Sequence, residues 1–276
     1  MNLVVQGAAV TSADAAEIAR ITGARSAEQL GAGAYRLRGA ARSDAVALWC
    51  GTRGLDCAWV PEGRRFADLR LLAMDMDSTL IGIECIDELG AIAGRGHEIA
   101  AITASAMRGE LDYPESLRRR VGLLAGLGED ALERVYRERL RLSPGAERLV
   151  SHCRRKGVRL LLVSGGFSFF TERLRQRLGF DYTLSNELEI EGGKLSGRLA
   201  GELVDGEVKA RAFREKAEAL GAGAAQTVAI GDGANDLPML AQAGYSIAYR
   251  AKPAVRARTD CAIDHCGLDA VINLFE

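Results

Sequence analysis

Leu71-Leu72-Ala73-Met74-Asp75-Met76-Asp77-Ser78-Thr79-Leu80 is an apolar run that ends in two carboxylates one residue apart. A short continuous apolar run reads as a strand buried on both faces, as in a parallel sheet. Such a strand would deliver Asp75 and Asp77 to the carboxyl edge of the sheet, where open α/β sheets bind ligands. Two carboxylates side by side repel each other and cost desolvation unless a cation joins them. A hard, oxygen-liking divalent ion such as Mg²⁺ would reconcile them. A polar loop with two solvated aspartates gives the same local pattern, so the choice rests on the downstream sequence.

Two further apolar runs end in the same way. Val158–Val163 leads into Ser164-Gly165-Gly166, and Thr227–Ile230 leads into Gly231-Asp232-Gly233-Ala234-Asn235-Asp236. Parallel strands place their carboxyl ends on one edge, so Asp75, Asp77, Ser164 and Asp232 should converge. Lys209 falls in the first turn of a helix expected over 207–220, where a cation opposes the helix dipole. A solvated lysine is the ordinary reading of that position; an anion met at the same edge is the functional one. A metal, a hydroxyl, a lysine and glycine amides together suit a phosphoryl group.

The rest of the chain fits around that sheet. Its 276 residues allow one large α/β domain plus a small one. Residues 1–66 show the order βαββαβ, which suggests a small α+β domain of the ferredoxin-like, ACT-like kind. Residues 67–276 form the larger α/β domain, with the first core strand over 67–79. Between about 81 and 142 only helical periodicity appears, as in Ile83, Ile86 and Leu89, so this segment reads as an inserted helical cap. A β-hairpin is expected over 182–204 with Gly192-Gly193 at its turn, a short helix over 237–243, and a last strand at 261–263. The alternation of strands and helices predicts a doubly wound parallel sheet.

Composition narrows the function classes. The formal net charge of −1 and 5% aromatic content give no bulk signal for nucleic acid. No stretch reaches the roughly 18 apolar residues of a membrane span, and no signal peptide is evident. The six cysteines contain no CxxC pair and read as reduced thiols, which suits a cytoplasmic protein.

Asp75-Met76-Asp77-Ser78-Thr79, Ser164-Gly165-Gly166, Lys209 and Gly231–Asp236 resemble the four motifs of the haloacid dehalogenase superfamily of phosphohydrolases. Glu84 and the stretch Ser116–Val121 carry the resemblance further, to that superfamily's phosphoserine phosphatase branch, over about residues 69–272. The resemblance implies hydrolysis of L-phosphoserine to L-serine and phosphate, the last step of serine biosynthesis, through an aspartyl-phosphate. It implies Asp75 as nucleophile and Asp77 as general acid and base. Mg²⁺ would be held by Asp75, Asp232 and the main-chain carbonyl of Asp77. Ser164, Gly165 and Lys209 would bind phosphoryl oxygens, Asn235 would lie near them, and Asp236 would support Lys209 or metal-bound water. Glu84 suits the substrate ammonium and Arg120 its carboxylate. On residue type alone, Glu84 reads as a helix-start acid and Arg118–Arg120 as a solvated charge run; the resemblance reverses both readings. Met107 and Tyr113 are candidate pocket residues. A small-molecule substrate, no nucleic acid, no membrane and a homodimer are the expected partnerships. A phosphatase for another small ester, a phosphotransferase and an amino-acid sensor are the competing readings.

Overall fold

A computed structural model describes residues 1–276. The chain opens with β1 (Asn2–Gln6), α1 (Ser12–Thr22), β2 (Ser26–Gly31), β3 (Ala34–Arg38), α2 (Asp44–Gly51) and β4 (Asp56–Val60). Thr11 starts α1 with a reciprocal capping box to Asp14, and Gly23 ends it at φ 63°, a conformation that favours glycine. The four strands pair antiparallel in the order β2-β3-β1-β4.

β5 (Leu71–Met74) begins the core, followed by α3 (Cys85–Ile92), α4 (Gly96–Met107), α5 (Tyr113–Gly122) and α6 (Asp130–Arg134) before the chain returns to the sheet. Next come α7 (Ala146–Arg155), β6 (Arg159–Phe167), α8 (Ser168–Leu178), the hairpin β7 (Tyr182–Glu191) and β8 (Lys194–Ala200), and α9 (Gly206–Ala219). β9 (Thr227–Gly231), α10 (Leu237–Leu240), β10 (Ser246–Tyr249), α11 (Pro253–Arg256) and β11 (Cys261–Ile263) complete it. From β11 through β10, β9, β5 and β6 to β7 every pair is parallel; only β8 reverses.

Alternation explains why these strands look uniformly apolar. Leu72, Met74, Leu160 and Leu162 join one core with α7 and α8. Leu71, Ala73, Leu161 and Val163 join the other, against Phe213 of α9 and Leu240 of α10. Both faces are covered, so both sets must be apolar.

Three expectations need adjustment. The first core strand is four residues, not 67–79: Phe66–Asp68 forms a 3₁₀ turn before it, and Met76–Leu80 coils into a wide turn after it. The helix expected over 237–243 stops at Leu240. The N-terminal strands do not stand apart from the core sheet. β4 pairs with β11 at Ala58 and Cys261, which makes one sheet of 11 strands. Asp56 secures that seam: its buried carboxylate accepts from the main-chain N–H of Asp264, His265 and Cys266 at 2.8–3.2 Å. Buried Arg36 adds to it by donating to the carbonyls of Asn273 and Phe275, each at 2.9 Å.

Candidate active site

Three strand ends build the floor of the site. β5 ends at Met74, so Asp75 is the first residue beyond it, and its amide still donates to the Ile230 carbonyl of β9 at 3.0 Å. The adjoining turn holds Ser78 in the left-handed region at φ 57°. This is a strained choice for a serine. It brings the Ser78 hydroxyl to Glu84, to which it donates at 2.7 Å.

On the neighbouring strand, the β6–β7 register jumps from Val163–Leu184 to Phe167–Asn186. This bulge frees the main chain at Ser164–Gly166 from regular pairing. Asn186 holds the bulge by donating to the Gly165 carbonyl at 2.8 Å. Glycine is required here by space: a Cβ on Gly165 would strike the Tyr113 hydroxyl, and one on Gly166 would strike Asp77 Oδ2. Gly231, at the end of β9, is likewise pressed against the Asp236 carboxylate, where a Cβ would lie 2.6 Å from Oδ2.

Lys209 reaches this floor from the first turn of α9, whose N-cap is Asp205. Its ammonium is fully buried and donates to Asp75 Oδ1 at 2.5 Å and Asp236 Oδ1 at 2.7 Å. Burial alone would depress the Lys209 pKa, but Asp236 and Asp75 outweigh it and the net shift is upward. The second oxygen of Asp236 accepts from the amides of Asp232 and Gly233. Asp232 accepts from Thr79 Oγ1 at 3.1 Å, and burial pushes its carboxyl up to about 6.

Asp75, Asp232 and Asp236 each present an oxygen within 4.8 Å of the others. The Asp77 side chain is not in that group. Its Oδ1 accepts from the Cys85 amide at 3.0 Å, and its Oδ2 faces Ser164 Oγ at 3.5 Å. Burial raises the carboxyl pKa of both Asp75 and Asp77.

Above the floor lies a cavity of about 760 Å³, roofed by α3, α4 and α5. Every candidate residue named from the sequence lines it except Lys209 and Asp236, which lie buried beneath. Arg120 is half-buried on its wall, whereas Arg118 and Arg119 are exposed and absent from the lining. Arg120 Nε donates to the Ser116 carbonyl, one turn back, at 3.3 Å. Glu84 keeps solvent contact, yet desolvation by the cavity walls, then the Asp77 charge, push its carboxyl up to about 7. Tyr113 stays a phenol, pushed up to about 12 mainly by burial, and donates to the Gly165 carbonyl at 3.3 Å. Met107 lies at the mouth, 64% exposed.

Residues not singled out from sequence also stand here. Thr79 and Asn186 buttress Asp232 and Gly165, and Lys252 lines the mouth. Thr79 lies two residues after Asp77, inside the motif quoted above, and that closeness was a usable signal. Asn186 carried none, because a lone asparagine on a strand has no motif around it.

Known proteins resemble this chain in sequence and fold. The family model described as haloacid dehalogenase-like hydrolase fits residues 72–241. A phosphoserine phosphatase of Polaromonas sp. is 53% identical over 215 residues, 76% of this chain and 91% of that protein. The unliganded crystal structure of a probable phosphoserine phosphatase from Vibrio cholerae superposes with a TM-score of 0.86 at 36% identity, over 99% of this chain and 85% of the other. A phosphoserine phosphatase solved with a phospho-aspartyl intermediate analogue superposes with a TM-score of 0.71 at 35% identity, over 75% of this chain and 99% of the other.

Proposed function

From the premise that this chain belongs to the haloacid dehalogenase-like hydrolase family, we propose that it hydrolyses L-phosphoserine to L-serine and phosphate through an aspartyl-phosphate. The observation that carries this reading is the meeting of Asp75, Asp77 and Lys209 under one cavity whose wall holds Glu84 and Arg120.

The hard carboxylate oxygens of Asp75, Asp232 and Asp236 suit Mg²⁺, and no thiol or imidazole competes in that group. Asp75, Asp232 and the Asp77 carbonyl would hold the ion. When bound it offsets the repulsion between the carboxylate nucleophile and a dianionic phosphate. Asp75 forms the new P–O bond as the serine P–O bond breaks. Asp77, whose burial favours the protonated form, gives its proton to the leaving serine oxygen. The ionised Asp77 then takes a proton from the water that attacks phosphorus, and the Asp75 P–O bond breaks. Lys209 holds Asp75 in place and, with Ser164, the Gly165 amide and Asn235, receives phosphoryl oxygens. Glu84 receives the substrate ammonium and Arg120 the carboxylate.

Residues 1–66 act as an appended α+β module and residues 81–142 as the cap that selects substrate. The module suits a homodimer, which light scattering in solution would test; a monomer at micromolar concentration would remove this assignment. The six free thiols fit a reducing, cytoplasmic setting. No helix is long and apolar enough to cross a membrane.

The test is phosphate release from L-phosphoserine with Mg²⁺, set against EDTA, Asp75→Asn and a panel of other phosphoesters. Metal-dependent, Asp75-dependent preference for phosphoserine is expected. Release from other esters but not from phosphoserine would keep the Asp75 chemistry and overturn the roles of Glu84 and Arg120. No release from any ester would overturn the reading as a whole.

A further inference from the structure

Seven carboxylates line the cavity, against two cations, Arg120 and Lys252. That balance is unfavourable for a substrate that arrives as a phosphate dianion. Lys209, the cation of the floor, is buried and already donates to two aspartates. Arg120 stands on the cap helix α5, in the role assigned to the substrate carboxylate. Lys252 is therefore the cation left over at the entrance.

Its setting is specific. Lys252 is exposed, the one hydrogen-bond partner of its ammonium is Met107 Sδ at 3.8 Å, where the end of α4 faces the core across the cavity mouth, and its charge acts on Asp232 without forming a salt bridge. Its main chain is anchored near the floor: its amide points to the Asp232 carbonyl at 3.5 Å. Two residues earlier Arg250 adopts φ 46°, with its amide donating to the Ile263 carbonyl at 2.8 Å. A non-glycine residue in the left-handed region is held there by its surroundings. The turn thus directs a long cationic side chain over the entrance without giving it a carboxylate partner.

We infer that Lys252 is an entry residue for the proposed reaction, capturing the phosphoryl group of the incoming ester at the cavity mouth and passing it to the floor. This rests on the phosphatase reading of the site. A charge in this place acts on encounter more than on the chemical step. Its effect should appear in kcat/KM and fade as salt screens it, since the Debye length falls to about 10 Å at 0.1 M.

The experiment compares wild type, Lys252→Met and Lys252→Arg with Mg²⁺, on L-phosphoserine and on p-nitrophenyl phosphate, from about 20 to about 300 mM salt. Lys252→Met keeps the apolar stem and removes the charge, and an unchanged Tm verifies its fold. The expected result is a loss in kcat/KM of about tenfold at low salt on both substrates. The loss should shrink at high salt, with Lys252→Arg close to wild type and kcat little changed. A Met variant with the wild-type salt slope, a loss independent of salt, or a loss confined to phosphoserine would overturn the assignment. If wild type cleaves p-nitrophenyl phosphate but not phosphoserine, the substrate reading fails while the first ester still decides the role of Lys252.

Discussion

Lys209 Nζ lies 2.5 Å from Asp75 Oδ1, with both side chains out of solvent, and the same ammonium also holds Asp236. Two carboxylates are thus fixed by one buried cation. Removing one member of a buried ion group leaves uncompensated charge and costs about 3–5 kcal/mol. Lys209→Met should lower unfolding free energy by about that amount and abolish turnover. Urea denaturation monitored by fluorescence checks the first effect. A variant as stable as wild type would show that the two aspartates are held by something else.

The proposed role of Asp77 is proton donor to the leaving oxygen, so its importance should depend on the leaving group. Asp77→Asn should reduce phosphoserine turnover by about 10²–10⁴-fold. Measured as kcat/KM, which ends at phosphoryl transfer to Asp75, the loss on p-nitrophenyl phosphate should be far smaller, because p-nitrophenolate departs without a proton. Equal losses in kcat/KM on both esters would remove Asp77 as the donor to the leaving oxygen, whereas kcat, which includes the shared hydrolysis of the aspartyl-phosphate, should fall on both.

Glu84 gives a pH signature. Its carboxyl is raised from 4.5 to about 7 by burial and by Asp77. The folded protein therefore holds more protons than the unfolded chain between those two values, and stability falls as pH rises through that window. Asp232, raised from 3.8 to about 6, acts in the same direction. In its proposed role Glu84 must be ionised to receive the substrate ammonium, so kcat/KM should rise as pH approaches and passes 7. Glu84→Gln should lower kcat/KM and flatten that limb. An unchanged limb would assign it to another group.

Asp56 closes the seam between the N-terminal strands and the core. Its carboxylate receives main-chain N–H groups from three consecutive residues. Asp56→Ala would leave those donors unpaired and should cost at least about 2 kcal/mol. Differential scanning calorimetry would show a lowered Tm. If the N-terminal strands fold as an independent unit, a second transition appears instead of one shifted peak.

The convergence of polar residues on the floor was legible because they sit in short motifs at the ends of apolar strands, so adjacency in sequence stands in for adjacency in space. Asp75, Ser164 and Asp232 needed only the rule that parallel strands share a carboxyl edge. The helical roof was legible from the periodicity of Ile83, Ile86 and Leu89, all packed in or against the core. What stayed hidden depends on pairings with no local trace. The bond from Asn186 to Gly165 joins a hairpin to a bulge, and Lys252 is an ordinary exposed lysine until the turn at Arg250 directs it over the mouth. The pairing of β4 with β11 was invisible for the same reason, and the first core strand was overestimated because the turn after Asp75 stays apolar at Met76 and Leu80.

The reach of that seam has a consequence for biosynthesis. Asp56 meets its partners 208 to 210 residues further along the chain. At translation speeds of about 5–20 residues per second, Asp56 waits roughly 10–40 s for them to be made. During that interval β4 is a nascent sheet edge, with its pairing groups open to other chains. A flank that finally becomes an interior strand of an 11-stranded sheet is therefore a part of the nascent polypeptide that depends on chaperone cover.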